Sequence, residues 1–283
     1  MGPSPRITRA TTHRGFTLVE ILVVLVIVGI LITMAAVLTR GVSAAQKRSL
    51  TATRMAGIDA ALVQFVMQSR RLPCPGDGSI GTGMPNAGVE SRALGVCTLV
   101  NQSNGVVPWI TLGLPEAEAT DAWDRRLTFR AHITLVDDNV MDMSACDPAG
   151  GGAAGAGGIC SSPCATPGTT CTSPTNYLTP KGFTIRSVVG GVLMAPPTTG
   201  AAYVVISHGE TGGGAFLNSG LLSTSTTTDG LEEQKNYANL ALQPYYLDDS
   251  VSDVAGANHF DDVVSRPSVL SVISKAALGP RSH

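Results

Sequence analysis

The chain has 283 residues, room for one sizeable or two modest domains, and its 19 basic and 21 acidic side chains leave a formal net charge of −2 at pH 7. No basic run or face stands out, which excludes the electrostatic footprint of a nucleic-acid-binding protein. Six cysteines, an even number, all lie beyond the first 70 residues and read as disulfides in an oxidising compartment.

In chain order the first element is a short leader, Met1 to Gly15, with Arg6, Arg9 and Arg14 and no acid. From Ile21 to Thr39 there is neither a charge nor a proline. That length approaches the roughly 20 residues a helix needs to cross a hydrocarbon core. The run reads as a membrane helix, and the basic leader keeps its own end in the cytoplasm by the positive-inside rule. It is longer than the apolar core of a secretory signal, ends at Arg40 and has no clear A-x-A cleavage site. Glu20 stands at its front, although a carboxylate deep in a bilayer costs roughly 2.5 to 3.5 kcal/mol. One account is local: a first-turn acid gains up to ~1 kcal/mol from the helix dipole and can reach the headgroups.

The other account comes from a resemblance. The stretch R-G-F-T-L-V-E, Arg14 to Glu20, resembles the type III signal of type IV pilins and type II secretion pseudopilins. The resemblance implies that a prepilin peptidase cuts after Gly15 and methylates Phe16. It also implies that Glu20, fifth in the mature chain, pairs with the amino terminus of Phe16 on a neighbouring subunit. Loss of the three leader arginines leaves sixteen basic against twenty-one acidic residues, a balance of −5.

No proline occurs between Pro5 and Pro73, so the membrane helix (16–39) can continue outward to about Gln68 as one rod of roughly 80 Å. Its second half (40–70) is amphipathic. Leu50, Met55, Ile58, Leu62, Phe65 and Val66 recur at three- and four-residue steps, while Lys47, Arg48, Arg54, Asp59 and Gln64 take other faces. Such a stripe packs on the protein's own core and calls for a sheet to cover it. The remaining 71–283 read as one globular domain. Cys74 and Cys97 bracket a Gly/Pro-rich loop that a disulfide between them would close.

Leu127, Phe129, Ala131, Ile133 and Leu135 alternate with Thr128, Arg130, His132 and Thr134, which predicts a strand with one buried face. Ser144 to Pro174 is a low-complexity insertion rich in Gly, Ala, Ser, Thr and Pro. Its Cys146, Cys160, Cys164 and Cys171 pair among themselves, with a four-thiolate zinc site as the competing reading. Phe183 to Val189 and Ala202 to Ser207 are further strands. Glycines and prolines between them rule out a second span, and the Ser/Thr-rich Leu222 to Gly230 is a surface excursion. The fold expected is α+β: a long N-terminal helix laid on an antiparallel sheet with loop insertions, pilin-like by resemblance.

Two further segments resemble the major pseudopilin branch. Asp121 to Arg130, D-A-W-D-R-R-L-T-F-R, looks like its D-P-W-G-x-P-Y-x-Y segment, with Trp123 at the tryptophan, Asp124 for the glycine and Arg126 for the proline. An acid before a turn and an aromatic entering a strand point to a structural role, fixing the loop to the sheet. Val204 to Gly214 with His259 to Ser265 is similar to that branch's calcium-holding loop. The resemblance implies calcium ligands at Glu210, Asp261 and Asp262, although Thr211 stands where an aspartate is expected; solvated loop acids are the other reading. For catalysis the residues offer little: Ser207 and His208 are strand neighbours pointing to opposite faces, and G-E-T-G-G-G lacks the ending of a phosphate loop.

The resulting expectation is a non-enzymatic pilin-like subunit of a type II secretion pseudopilus, anchored once in the bacterial inner membrane with its domain in the periplasm. Its partners are the prepilin peptidase, other pilin-like subunits and the inner-membrane assembly platform with its cytoplasmic ATPase, and no nucleic acid. Gly29, Ala35 and Ala36 allow close helix approach in the filament core, and Val37 occupies the position where many relatives carry proline. A minor type IV pilus subunit, or a membrane-tethered binding or adhesion module, are the alternatives.

Overall fold

The computed structural model describes residues 18–144, 177–224, 230–252, 254 and 256–279, without the side chains of residues 33–42. Gly15, Phe16 and the cysteines at 146, 160, 164 and 171 therefore lie outside the described residues. The chain divides into two compact units, Met1–Gln46 and Lys47–His283.

Helix α1 spans Leu18–Ser69 without a break, as its lack of proline allows. It ends where Arg70 turns into the left-handed region (φ 55°) and donates its N–H to Val66 O, three residues before Pro73. In the first unit every described apolar side chain from Leu18 to Ile32 is exposed, from 42% at Val28 to 82% at Leu18. Among the described residues no helix is long and apolar enough to cross a membrane; the described side chains of the apolar run stop at Ile32.

In the second unit α1 buries Thr51, Met55, Ile58, Leu62 and Val66, one face of the helix. This stripe matches the predicted one except at its ends. Leu50 is 47% exposed because Thr51 holds the inward position, and Phe65 is half-buried with the Arg71 guanidinium 5.0 Å from its ring. Asp59, expected on a solvent face, instead accepts hydrogen bonds from Tyr203 (3.0 Å) and Ser265 (2.6 Å).

The strands are short: β1 Gly76–Asp77, β2 Arg92–Ala93, β3 Val96–Cys97, β4 Gly105–Val106, β5 Arg125–Arg126, β6 Thr128–Ala131, β7 Thr184–Arg186, β8 Val192–Met194, β9 Tyr203–Ser207, β10 Phe216–Leu217, β11 Tyr245–Leu247 and β12 Val263–Ser265. The main sheet has the order β1-β4-β6-β9-β12, antiparallel throughout. A second sheet, β11-β7-β8, contains a parallel pair between β11 and β7, a departure from the all-antiparallel expectation. The α+β class stands, with the second-unit part of α1 sharing one core with the main sheet.

Strand β9 explains how both faces of that sheet are filled. Tyr203 and Val205 join Ile58, Leu62, Phe129 and the short C-terminal helix α2 (Val269–Lys275) in one core. Val204 and Ile206 point the other way into a second core with Phe183, Ile185, Met194 and Tyr246. All five β9 residues are buried as a result, and each large aliphatic side chain so placed stabilises by about 1.5–3 kcal/mol.

The strand expected over 127–135 is corrected by the same arrangement. β6 stops at Ala131, and Ile133–Leu135 is a 3-10 turn with Ile133 half exposed. All four β6 residues are buried because the supposed solvent face is covered: Arg130 donates to the carbonyls of Gly105, Ala238 and Leu240. The predicted Cys74–Cys97 disulfide is present and closes the loop that the two residues bracket.

Candidate functional site

Two places carry the residues singled out by sequence. The first is the head of α1, where Glu20 lies in the first turn and is exposed among apolar neighbours. An acid there meets the positive end of the helix dipole.

The second lies in the globular unit, where the Asp121–Arg126 turn meets the loop after β9. Asp121 organises the turn: Oδ1 accepts the N–H groups of Trp123 (2.9 Å) and Arg125 (3.0 Å), and Oδ2 accepts the Ser207 hydroxyl (2.7 Å). Burial pushes its carboxyl pKa up, against the opposing pull of these donors and of Arg125. Asp124 adopts φ 62°, so the residue in the glycine position keeps a conformation that glycine favours. The turn is tied to α1 by Arg54, which donates to Thr120 O (2.8 Å) and Asp121 O (3.0 Å), and by Thr51 Oγ1, which accepts from Ala122 N–H.

Trp123 is half-buried, with the Lys47 ammonium 5.9 Å from its ring. The anchoring expected of it falls instead to Arg126, in the proline position. That guanidinium is buried, pairs with Glu116 at 2.8 Å, donates to Gly78 O and Ile80 O, and stacks 4.8 Å from the centre of Trp109.

Ser207 and His208 diverge as strand alternation requires. Ser207 is engaged with Asp121, whereas His208 Nε2 lies 2.8 Å from Thr128 Oγ1. They form no nucleophile and base pair with each other.

Of the predicted calcium ligands, Asp261 reaches the loop: its carboxylate accepts Glu210 N–H, Thr211 N–H and the Thr211 hydroxyl. Asp262 is buried, accepts Asn236 Nδ2 at 2.8 Å and has its Oδ1 3.7 Å from His208 Nδ1. Glu210 is exposed. Among the described residues the metal-type donors that do converge are Glu233, His259 and Asp261, all buried, with donor atoms within 4.8 Å of one another. Glu233 Oε2 lies 2.8 Å from His259 Nδ1, its carboxyl oxygens accept Asp261 N–H (2.8 Å) and Gly230 N–H (3.0 Å), and burial pushes its carboxyl pKa up. Glu233 was invisible from sequence: it sits in a 3-10 turn far along the chain from Asp261, with no motif around it.

The fold and the head of α1 together define a class, an α+β domain on a long helix whose first turns carry an acid among exposed apolar residues. Residues 11–36 match the prokaryotic N-terminal methylation motif, which supports a type IV pilin-like reading of the chain. Neither a curated protein nor a solved structure matches the chain.

Proposed function

We propose that the chain is a structural subunit of a type II secretion pseudopilus. It is made with leader 1–15, cut after Gly15, methylated at Phe16, and assembled through residues 16–39 with the 71–283 domain on the periplasmic side. The inner membrane holds the subunit before assembly, and neighbouring pilin-like subunits replace lipid around the helix afterwards. Glu20 directs that exchange, because its carboxylate is neutralised by the Phe16 amino terminus of the adjoining copy. The sequence from Asp121 to Arg130 supports a secretion system over a pilus.

The observation that carries the reading is the methylation motif at residues 11–36, with Glu20 in a segment whose described apolar side chains, Leu18 to Ile32, are all exposed. The test has two readouts in the native host. Intact mass of the mature chain should show loss of Met1–Gly15 and one added methyl group. Glu20→Val should be processed in the same way yet fail to enter filaments and abolish secretion. A chain retaining its leader, or a Glu20→Val chain that assembles and secretes normally, refutes the proposal; the second result leaves a membrane-tethered binding module.

A further inference from the structure

We propose that the Gly209–Gly214 loop is braced by two side chains of the chain itself, the Arg125 guanidinium and the Asp261 carboxylate, in place of the calcium ion that the resemblance implies.

The loop is gripped on both of its polar sides. Arg125 Nη1 donates to Gly209 O at 2.7 Å and Nη2 to Glu210 O at 3.2 Å, so two successive carbonyls already face a fixed positive charge. From the opposite side Asp261 Oδ2 accepts Glu210 N–H (2.9 Å) and Thr211 N–H (2.8 Å), and Oδ1 accepts the Thr211 hydroxyl (3.0 Å). The backbone fits between the two groups only where side chains are missing. Gly209 has φ 53°, and a Cβ there would meet the Asp261 carboxyl at 2.6 Å. Gly212 has φ 67°, and a Cβ there would fall 1.9 Å from Arg125 Cζ. Both positions need glycine for conformation and for space.

Calcium requires six to eight oxygens and favours carboxylates and carbonyls. Here the loop carbonyls serve a guanidinium, and a divalent cation brought to them would be repelled by it. Asp261 is turned toward N–H and O–H donors, and Asp262 toward Asn236. The converging trio Glu233, His259 and Asp261 includes an imidazole nitrogen, a ligand suited to transition ions rather than calcium. The donor set therefore does not fit calcium, while a monovalent cation fixed by the chain supplies the same cross-link. The consequence is a loop, and a subunit, whose order does not depend on external calcium. This stands apart from the assembly reading and survives its failure.

Hydrogen exchange and thermal unfolding of the full chain in detergent test it. EGTA and millimolar calcium chloride should leave the melting temperature and the exchange of the Glu210 and Thr211 amides unchanged. Arg125→Gln should speed exchange of those amides by roughly tenfold or more while α1 and β9 amides keep their protection. Stabilisation or slowed loop exchange of the wild-type chain by calcium overturns the proposal, as does wild-type loop exchange in folded Arg125→Gln. If that variant does not fold, the wild-type calcium titration decides alone.

Discussion

Replacing Asp121 tests the core of the site most directly, because Ala and Asn should separate by a margin set by its three hydrogen bonds. Asp121 is 1% exposed, and Asp121→Ala orphans the N–H groups of Trp123 and Arg125 and the Ser207 hydroxyl. A buried donor left without an acceptor costs about 1–3 kcal/mol. Trp123 is only half-buried, so water can reach its N–H, and the Ser207 hydroxyl can rotate. Assigning about 2 kcal/mol to Arg125 N–H and about 1 kcal/mol to each of the others gives about 4 kcal/mol. Burial holds the Asp121 carboxyl pKa above its usual value, so the fold disfavours its ionised form and removing it offsets part of that cost. The net cost is about 3 kcal/mol. Asp121→Asn keeps an oxygen toward both N–H groups and sheds the charge, so its cost is about 1 kcal/mol. At roughly 2–4 °C per kcal/mol for a domain of this size, melting of the full chain should fall by about 6–12 °C for Ala and about 2–4 °C for Asn. An Ala variant within about 1 kcal/mol of wild type, or an Asn variant more damaging than Ala, refutes the reasoning.

Leu62, fully buried in the core that α1 shares with the main sheet, should cost about 2–5 kcal/mol when changed to Ala in denaturant titrations, against under about 0.5 kcal/mol for exposed Gln64→Ala. Opening the Cys74–Cys97 bridge, which spans 23 residues, should cost about 3 kcal/mol, read as a lower unfolding midpoint of Cys74→Ser/Cys97→Ser. His132, packed against Phe183 at 5.1 Å, has its pKa lowered from 6.5 to about 4 by burial and then by the nearby Lys181 charge. The unfolded chain therefore binds this proton first: stability is whole above pH 6.5 and declines as pH falls toward 4, by about 2 kcal/mol after allowing for partial exposure. Unfolding free energies at pH 7 and 4.5 should differ less in His132→Gln by that amount, and an unchanged difference refutes the assignment.

Helical periodicity was legible wherever the burial was one-sided. Met55, Ile58, Leu62 and Val66 follow from spacing alone, and the error at Leu50 arose because a threonine, Thr51, takes the inward position at that turn. β-branched content located β9, and strand alternation located β6 but misjudged its second face, since what covers Thr128 and Arg130 comes from His208 and from the Tyr237–Leu240 segment, distant in sequence. Two-residue strands such as β1, β4 and β5 carry no period to detect. The Asp121 turn was recognisable as a motif, yet its working parts are Asp121 and Arg126 rather than Trp123. An aromatic residue advertises burial by its type, whereas a buried arginine is betrayed only by the carbonyls and the Glu116 carboxylate that surround it. The Arg125–Asp261 clamp was out of reach for the same reason: each half is an ordinary charged residue until the loop of Gly209 and Gly212 is placed between them.

One helix thus contains two different solutions to apolar burial. From Met55 to Val66 the apolar residues keep to a single stripe, with Arg54, Asp59 and Gln64 off it, and the chain's own sheet covers that stripe. From Leu18 to Ile32 apolar residues occupy every face, so no single sheet could cover them, and none of the described ones is buried. Each exposed leucine, isoleucine or valine forgoes about 1.5–3 kcal/mol of burial. A surface of that kind needs a surrounding that is apolar all round, which lipid or a bundle of like helices supplies and a globular domain does not. On the proposed assembly, the lone carboxylate at the head of such a segment acts as a selector between the two. Lipid leaves it unneutralised at a cost of roughly 2.5 to 3.5 kcal/mol near the core, whereas a neighbouring copy that brings an amine removes the cost. On the proposed assembly the preference for filament over membrane therefore rests on Glu20 and not on the apolar residues, which are satisfied equally in both. Substituting Gln, which is polar but uncharged, should weaken assembly less than Val if hydrogen bonding suffices and as much as Val if charge decides, and filament yield of the two variants separates the cases.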